Sequence, residues 1–167
     1  MTLHHPEKVK SLTLISAMAY PFQLPLGFRI AKRFPAFIKP FCGLAFVRSM
    51  RKQLVINVAV ACTPQKVAEA AEPYLMSNGP SAAFKVLGEF DNQLLIEMSQ
   101  HYSQIKKATL VIWGKQDSLI PSDHSLLFKR DMPHAEICLV DHCGHIPHEE
   151  YPQETKHVII QFLKNRN

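Results

Sequence analysis

No apolar run in this chain approaches the eighteen or so residues of a membrane span, and Met1 to Pro6 lack the layout of a signal peptide. The four cysteines (Cys42, Cys62, Cys138 and Cys143) contain no C-x-x-C pair and no disulfide-like framework. Together these absences point to reduced thiols and a cytoplasmic protein. Internal repeats and low-complexity tracts are also missing. Acidic residues are absent from a long stretch: between Lys8 and Ala68 there are ten Lys or Arg and no Asp or Glu. From Glu69 onward thirteen acids face nine bases, so the net charge of +5 is concentrated in the first part. A nucleic-acid reader would show a recognised motif or a basic face interleaved with stacking aromatics. No such motif is present, and no nucleic-acid partner is expected.

What is there fits one globular domain. A length of 167 residues suffices to bury a core, and 47% hydrophobic against 20% charged residues is ordinary for a soluble fold. Three stretches differ in kind, with boundaries at 1–19, 20–107 and 108–167. In the first, Lys10 to Ala17 is short, rich in β-formers and apolar at nearly every position, which predicts a buried strand after Pro6. In the second, prolines at 21, 25, 35, 40, 64, 73 and 80 cut the chain into short segments. Phe34, Phe37, Ile38 and Phe41, then Leu54, Val55, Val58 and Ala61, recur at helical spacing. Thr63-Pro64 predicts a helix start, with Thr63 as N-cap. Roughly four to six short helices are expected here.

The third stretch carries the chemistry. Ala108 to Trp113 is a continuous apolar run bounded by Gly114, and Ala135 to Val140 is a second strand. Between them Pro121-Ser122 opens a helix whose Leu126, Leu127 and Phe128 can face a core, with Pro133 ending it. Pro152 starts a last helix with Thr155, Val158, Ile159, Phe162 and Leu163 on one face. Strand, helix, strand, helix implies a parallel pair, whose ligands bind outside the carboxyl ends of the strands. Two loops leave that edge, Gly114 to Pro121 and Asp141 to Glu150. With strands about 4.8 Å apart, Asp117 from one and His145 from the other can meet. A carboxylate on an imidazole fixes its tautomer and stabilises the imidazolium, leaving the second ring nitrogen to take a proton.

Gly-His-Ile-Pro-His-Glu-Glu at 144–150, preceded by Val-Ile-Trp-Gly-Lys-Gln-Asp at 111–117, resembles the last two active-site loops of the α/β-hydrolase family. His5-Pro-Glu-Lys-Val-Lys-Ser-Leu-Thr-Leu-Ile is similar to the segment joining the post-nucleophile helix to the next strand, and the proline-rich middle resembles the cap, or lid. The resemblance implies an α/β fold: a partial parallel sheet of an α/β-hydrolase with a helical cap insertion. It implies Asp117 as triad acid, His145 as general base, and Leu119 and Ile146 as substrate-binding residues beside them. Some relatives place the acid after the earlier strand; here that position reads Ser16-Ala17-Met18, which favours Asp117. The expected substrate is a small ester-like or other apolar molecule, with no cofactor.

The family's nucleophile lies upstream of its acid, in a Gly-x-Ser-x-Gly elbow. None of the six glycines here forms that motif. The expectation is therefore a C-terminal portion of a hydrolase, inactive alone, in which strand Leu12 to Ile15 is left at a sheet edge that favours self-pairing into a homo-oligomer. The alternative is a non-catalytic binding or metal-holding module on the same fold. His142, His145 and His148 stand in an H-x-x-H-x-x-H run beside Cys143, but equal spacing on an irregular loop does not bring three rings together, and no metal is expected. Asp123 and His124 fall in a helix's first turn, where the acid favours the dipole. The basic, aromatic stretch from Phe28 to Lys52 has two readings. The plainer is a lid whose aromatics cover the pocket and whose charges are solvated. The other is a surface that rests on an anionic membrane or admits an acidic or acyl substrate.

Overall fold

A computed structural model describes residues 2–38, 47–48, 51–52, 55–56, 58–76 and 79–165, with the backbone alone at 38, 59, 79, 80, 83 and 87. The expectations for Phe41 and Leu54, like Lys39, Cys42 and Phe46, lie outside the described residues. Three strands, β1 (Ser11–Ile15), β2 (Ala108–Gly114) and β3 (Glu136–Val140), form one parallel sheet in the order β1-β2-β3. Ser11 pairs with Ala108 at one end of the β1–β2 ladder and Leu110 with Glu136 on the other side.

β2 is apolar along its whole length because both of its faces are covered. Val111 and Trp113 point to one side, where Phe128 of α7 (His124–Asp131) and Met132 just beyond it join Ala19, Tyr20, Phe22 and Tyr102. Leu110 and Ile112 point to the other, against Phe162 of α9 (Pro152–Lys164), which follows the short α8 (Pro147–Glu150). The aromatic side interlocks by edge-to-face contacts, with Tyr20 at 5.4 Å from Tyr102 and 4.9 Å from Phe128 between ring centroids. Their hydroxyls find acceptors: Tyr20 donates to Asp131 Oδ2 at 3.0 Å and Tyr102 to the Ala19 carbonyl at 3.0 Å. β1 departs from expectation. It is only half-buried at every position, since it has a partner strand on one side among the described residues.

Between β1 and β2 the described residues include α1 (Leu26–Arg33), α2 (Pro35–Ile38), α3 (Val58–Ala61), α4 (Pro64–Leu75), α5 (Gly79–Gly88) and α6 (Asn92–Ser99). Thr63 caps α4 as predicted, its hydroxyl accepting from the Lys66 N–H at 3.3 Å. Pro73 does not break that helix where it falls. It stands in the last turn, and the helix ends two residues later at Leu75. α6 is capped by Asp91, which accepts from the Gln93 N–H at 2.9 Å.

The third stretch needs three further corrections. The helix expected from Pro121 begins at His124; residues 121–123 form a turn whose Pro121 carbonyl accepts from His124. Leu126, expected to face the core, is 60% exposed, while Phe128 two residues on is buried, because on a helix backed by one sheet face only every third or fourth residue points inward. On α9, Thr155 and Phe162 are buried but Leu163 is exposed, at the margin of the stripe.

Candidate active site

The loops after β2 and β3 are stitched together by backbone before any reactive side chain is placed. Lys115 N–H donates to the Val140 carbonyl at 3.0 Å and Gln116 N–H to the Cys143 carbonyl at 2.9 Å. The Gln116 side-chain oxygen accepts from the Cys143 N–H in return at 3.1 Å. Gly114 allows this approach: a Cβ there would come within 3 Å of the carbonyls of Cys143 and Gly144. His142 takes up the tight turn with φ of 52°, a left-handed conformation. Lys115 pairs with Asp141 across the outer side of the loops at 2.7 Å, which holds the Asp141 carboxyl below its usual range.

Within this frame Asp117 and His145 meet. The Nδ1 of His145 lies 2.9 Å from Asp117 Oδ2. The Asp117 side chain is fully buried, and that of His145 is 19% exposed. A buried carboxylate must have its oxygens satisfied. Here the indole N–H of Trp113 donates to Oδ2 at 3.0 Å, and the backbone N–H groups of Leu119 and Ile120 donate to Oδ1 at 2.9 and 3.0 Å. Four donors around one acid fix its orientation. Nδ1 is thereby committed as a donor, and Nε2 is the ring nitrogen left for proton transfer.

Leu119 and Ile146 take up different surroundings. Leu119 is half-buried and packs on the Trp113 cluster, holding the acid by its backbone. Ile146 packs against Val55, Ala61, Cys62 and Val67 of the helical stretch. The three loop histidines do not converge. His142 and His148 are exposed while His145 turns to Asp117, and no group of three or more potential ligands among the described residues could hold a metal ion. The position after β1 carries Ser16, buried and left-handed at φ 42°, with a hydroxyl that has no hydrogen-bond partner among the described residues.

Several residues that matter here carried no signal in the sequence. Trp113 is one, read as strand but not as a donor to the acid. Glu150 is another: its buried carboxylate accepts from Gly144 N–H at 2.9 Å, from the Cys143 thiol at 3.6 Å and from Ile56 N–H at 2.7 Å. Arg51, also buried, donates to Glu149 and to the Ala61 carbonyl, and Lys66 Nζ reaches the Glu149 carbonyl at 3.1 Å. These bonds tie the histidine loop to the helical stretch. Burial first, and then the Glu150 carboxylate, push the Cys143 thiol up to about 12, so that this cysteine beside His145 is a hydrogen-bond donor and not a nucleophile. His124 lies under the site among Tyr20, Phe22 and Trp113, and its burial holds its pKa below the usual value against the opposing pull of Asp117 and Asp123.

Residues 1–152 match a family described as the alpha/beta hydrolase fold. Among curated proteins, a 2-hydroxy-6-oxo-6-phenylhexa-2,4-dienoate hydrolase from Burkholderia cepacia is 33% identical over 69 residues, 41% of this chain and 24% of the relative. A human monoacylglycerol lipase is 32% identical over 66 residues, 40% of this chain and 20% of the relative. In both cases the aligned part is a quarter or less of the relative's own length. Among solved structures, a 2-hydroxy-6-oxo-6-phenylhexa-2,4-dienoate hydrolase from Rhodococcus sp. strain RHA1 superposes with a TM-score of 0.81 at 18% identity. It covers 98% of this chain and 58% of that one, a likeness of fold.

Proposed function

Since the chain belongs to the alpha/beta hydrolase fold family, we propose that Asp117 and His145 are the acid and general base of a hydrolytic site. The observation that supports this most is the 2.9 Å contact between a fully buried carboxylate and the Nδ1 of a partly exposed imidazole. In the reaction His145 Nε2 takes the proton from a nucleophile as it attacks the substrate, and returns it to the leaving group. Asp117 stays ionised, holds the tautomer and stabilises the imidazolium. Residues 20–107 act as the cap, and Leu119 and Ile146 offer apolar contact to the substrate on either side of the histidine.

The substrate is an ester-like or other apolar molecule, a reading supported by relatives that are named a dienoate hydrolase and a monoacylglycerol lipase. The sequence presents no nucleophile elbow, so the 167 residues alone are inactive. The test is to compare p-nitrophenyl ester hydrolysis by the chain alone with that of the chain fused behind the strand-and-elbow half of the Burkholderia relative. The fusion is expected to turn over, and to lose at least about a hundredfold in kcat with His145→Ala. Turnover by the isolated chain that His145→Ala abolishes would refute the inactivity. A cooperatively folded fusion whose turnover survives His145→Ala would remove the assignment of the base.

A further inference from the structure

Two features of the first helices were not absorbed by the hydrolytic site: several of their apolar residues face outward, and their arginines form no ion pair among the described residues. On α1, Leu26 and Ile30 lie one turn apart and are 68% and 45% exposed. Phe34 ends that helix at 49% exposure, and Phe37 on α2 stands at 75%, its ring 6.4 Å from that of Phe34. Both rings are exposed rather than turned into the core of the described residues. Arg29 and Arg33 adjoin the same face by helical spacing, and the Arg33 guanidinium lies 5.3 Å from the Phe34 ring centre. Neither arginine is in an ion pair among the described residues, consistent with a stretch that holds no Asp or Glu from Lys8 to Ala68.

We propose that the face formed by Leu26, Ile30, Phe34 and Phe37, flanked by Arg29 and Arg33, docks on the surface of an anionic lipid bilayer. The occupant follows from charge and shape together. A helix lying in the interface buries leucine, isoleucine and phenylalanine at the boundary between headgroups and acyl chains. Arginines beside them reach up to lipid phosphates, with their stems along the apolar layer. No helix among the described residues is long and apolar enough to cross a membrane, so the contact is one of lying on the surface. The inference stands apart from the proposed hydrolysis and needs no nucleophile.

The test is co-sedimentation of the full chain with vesicles of phosphatidylcholine, with and without about one quarter phosphatidylglycerol. Binding is expected to be about tenfold tighter on the anionic vesicles and to fall as salt is raised. Arg29→Glu with Arg33→Glu should erase that preference. Phe34→Ser with Phe37→Ser should weaken anionic binding about tenfold. Lys156→Glu with Lys164→Glu, the same change of net charge on α9, should leave it within about twofold. If the double phenylalanine variant does not fold, Phe37→Ser alone at its exposed site is expected to weaken binding about threefold. Equal binding to both vesicle types, no binding to either, or the same loss from the α9 pair would overturn the proposal. So would a phenylalanine-dependent dimer in sedimentation equilibrium that ignores vesicles, which would make the occupant a second copy.

Discussion

The strand β2 and the helices between β1 and β2 are both rich in apolar residues, yet they hold their side chains very differently. From Thr109 to Trp113 every residue is 2% exposed or less, and the loop that follows is bonded on both sides to the loop after β3. In the helical stretch, Leu26, Phe37, Leu75, Met76 and Val86 are each more than 60% exposed. The difference is one of neighbours. A parallel strand with sheet partners on both sides and helices on both faces leaves no direction free, so both pleat faces are buried and the loop it launches inherits a fixed position. Short helices laid over a sheet bury one stripe at most. A site that needs an acid and an imidazole within 2.9 Å sits where the first kind of order is available.

This contrast can be attacked at its strongest point first. Trp113 is fully buried at the centre of the aromatic cluster and donates to Asp117. Trp113→Ala should cost about 3–5 kcal/mol in unfolding free energy. Val86→Ala, at 71% exposure in α5, should stay within about 0.5 kcal/mol. Urea unfolding followed by circular dichroism checks both, and similar losses would dissolve the distinction between the regions.

The second attack is on the joint between them. Glu150→Ala leaves the Gly144 and Ile56 N–H groups without this acceptor and the Cys143 thiol with only the Gly144 carbonyl, at a cost of about 3 kcal/mol. Glu150→Gln keeps one acceptor oxygen and should lose about half as much. Protection of the Ile56 and Gly144 amides in hydrogen exchange should fall together in the alanine variant. If only one of them changes, Glu150 is not the bridge between the histidine loop and the helical stretch.

The smallest effect expected is one of pH. Burial lowers the pKa of His124 below the 6.5 of an unperturbed histidine, opposed by the nearby Asp117 and Asp123. In that case the unfolded chain takes up the proton first. The contribution to stability is complete above about pH 6.5 and declines as pH falls below it. His124→Phe, which keeps a ring among Tyr20, Phe22 and Trp113, should flatten this part of the stability profile relative to the parent. Urea midpoints of parent and variant between about pH 5 and 7 measure it. An unchanged slope would mean that His124 is not held neutral by its burial.

Much of the C-terminal order was legible from residues 108 onward. Runs of apolar residues bounded by Gly114 and Asp141 located β2 and β3 to within a residue or two, and Pro152 marked the start of α9. The pair itself was legible because two parallel neighbouring strands must end at one edge, so the loops after them are forced together. The start of α7 was not, since Pro121 and Ser122 suit a turn as well as a helix. The outward turn of Phe34 and Phe37 was not legible either, because helical spacing says which residues share a face and nothing about where that face looks.

The sequence by itself determined that β2 is buried, that α4 begins at Thr63-Pro64, and that Asp117 and His145 stand on loops at the same edge. Each of these follows from short-range chemistry: continuous apolar character, the fixed φ of proline beside a capping hydroxyl, and the one direction of parallel strands. The Leu119 and Ile120 N–H groups that hold Asp117 lie two and three residues beyond it, a local Asx-type turn, whereas tertiary structure alone decided that Arg51, Ile56 and Glu150 fasten the histidine loop. Those partners are separated by up to 98 positions along the chain. A buried polar group takes whichever donor the packing brings within about 3 Å, and no local pattern of residues encodes which one that will be.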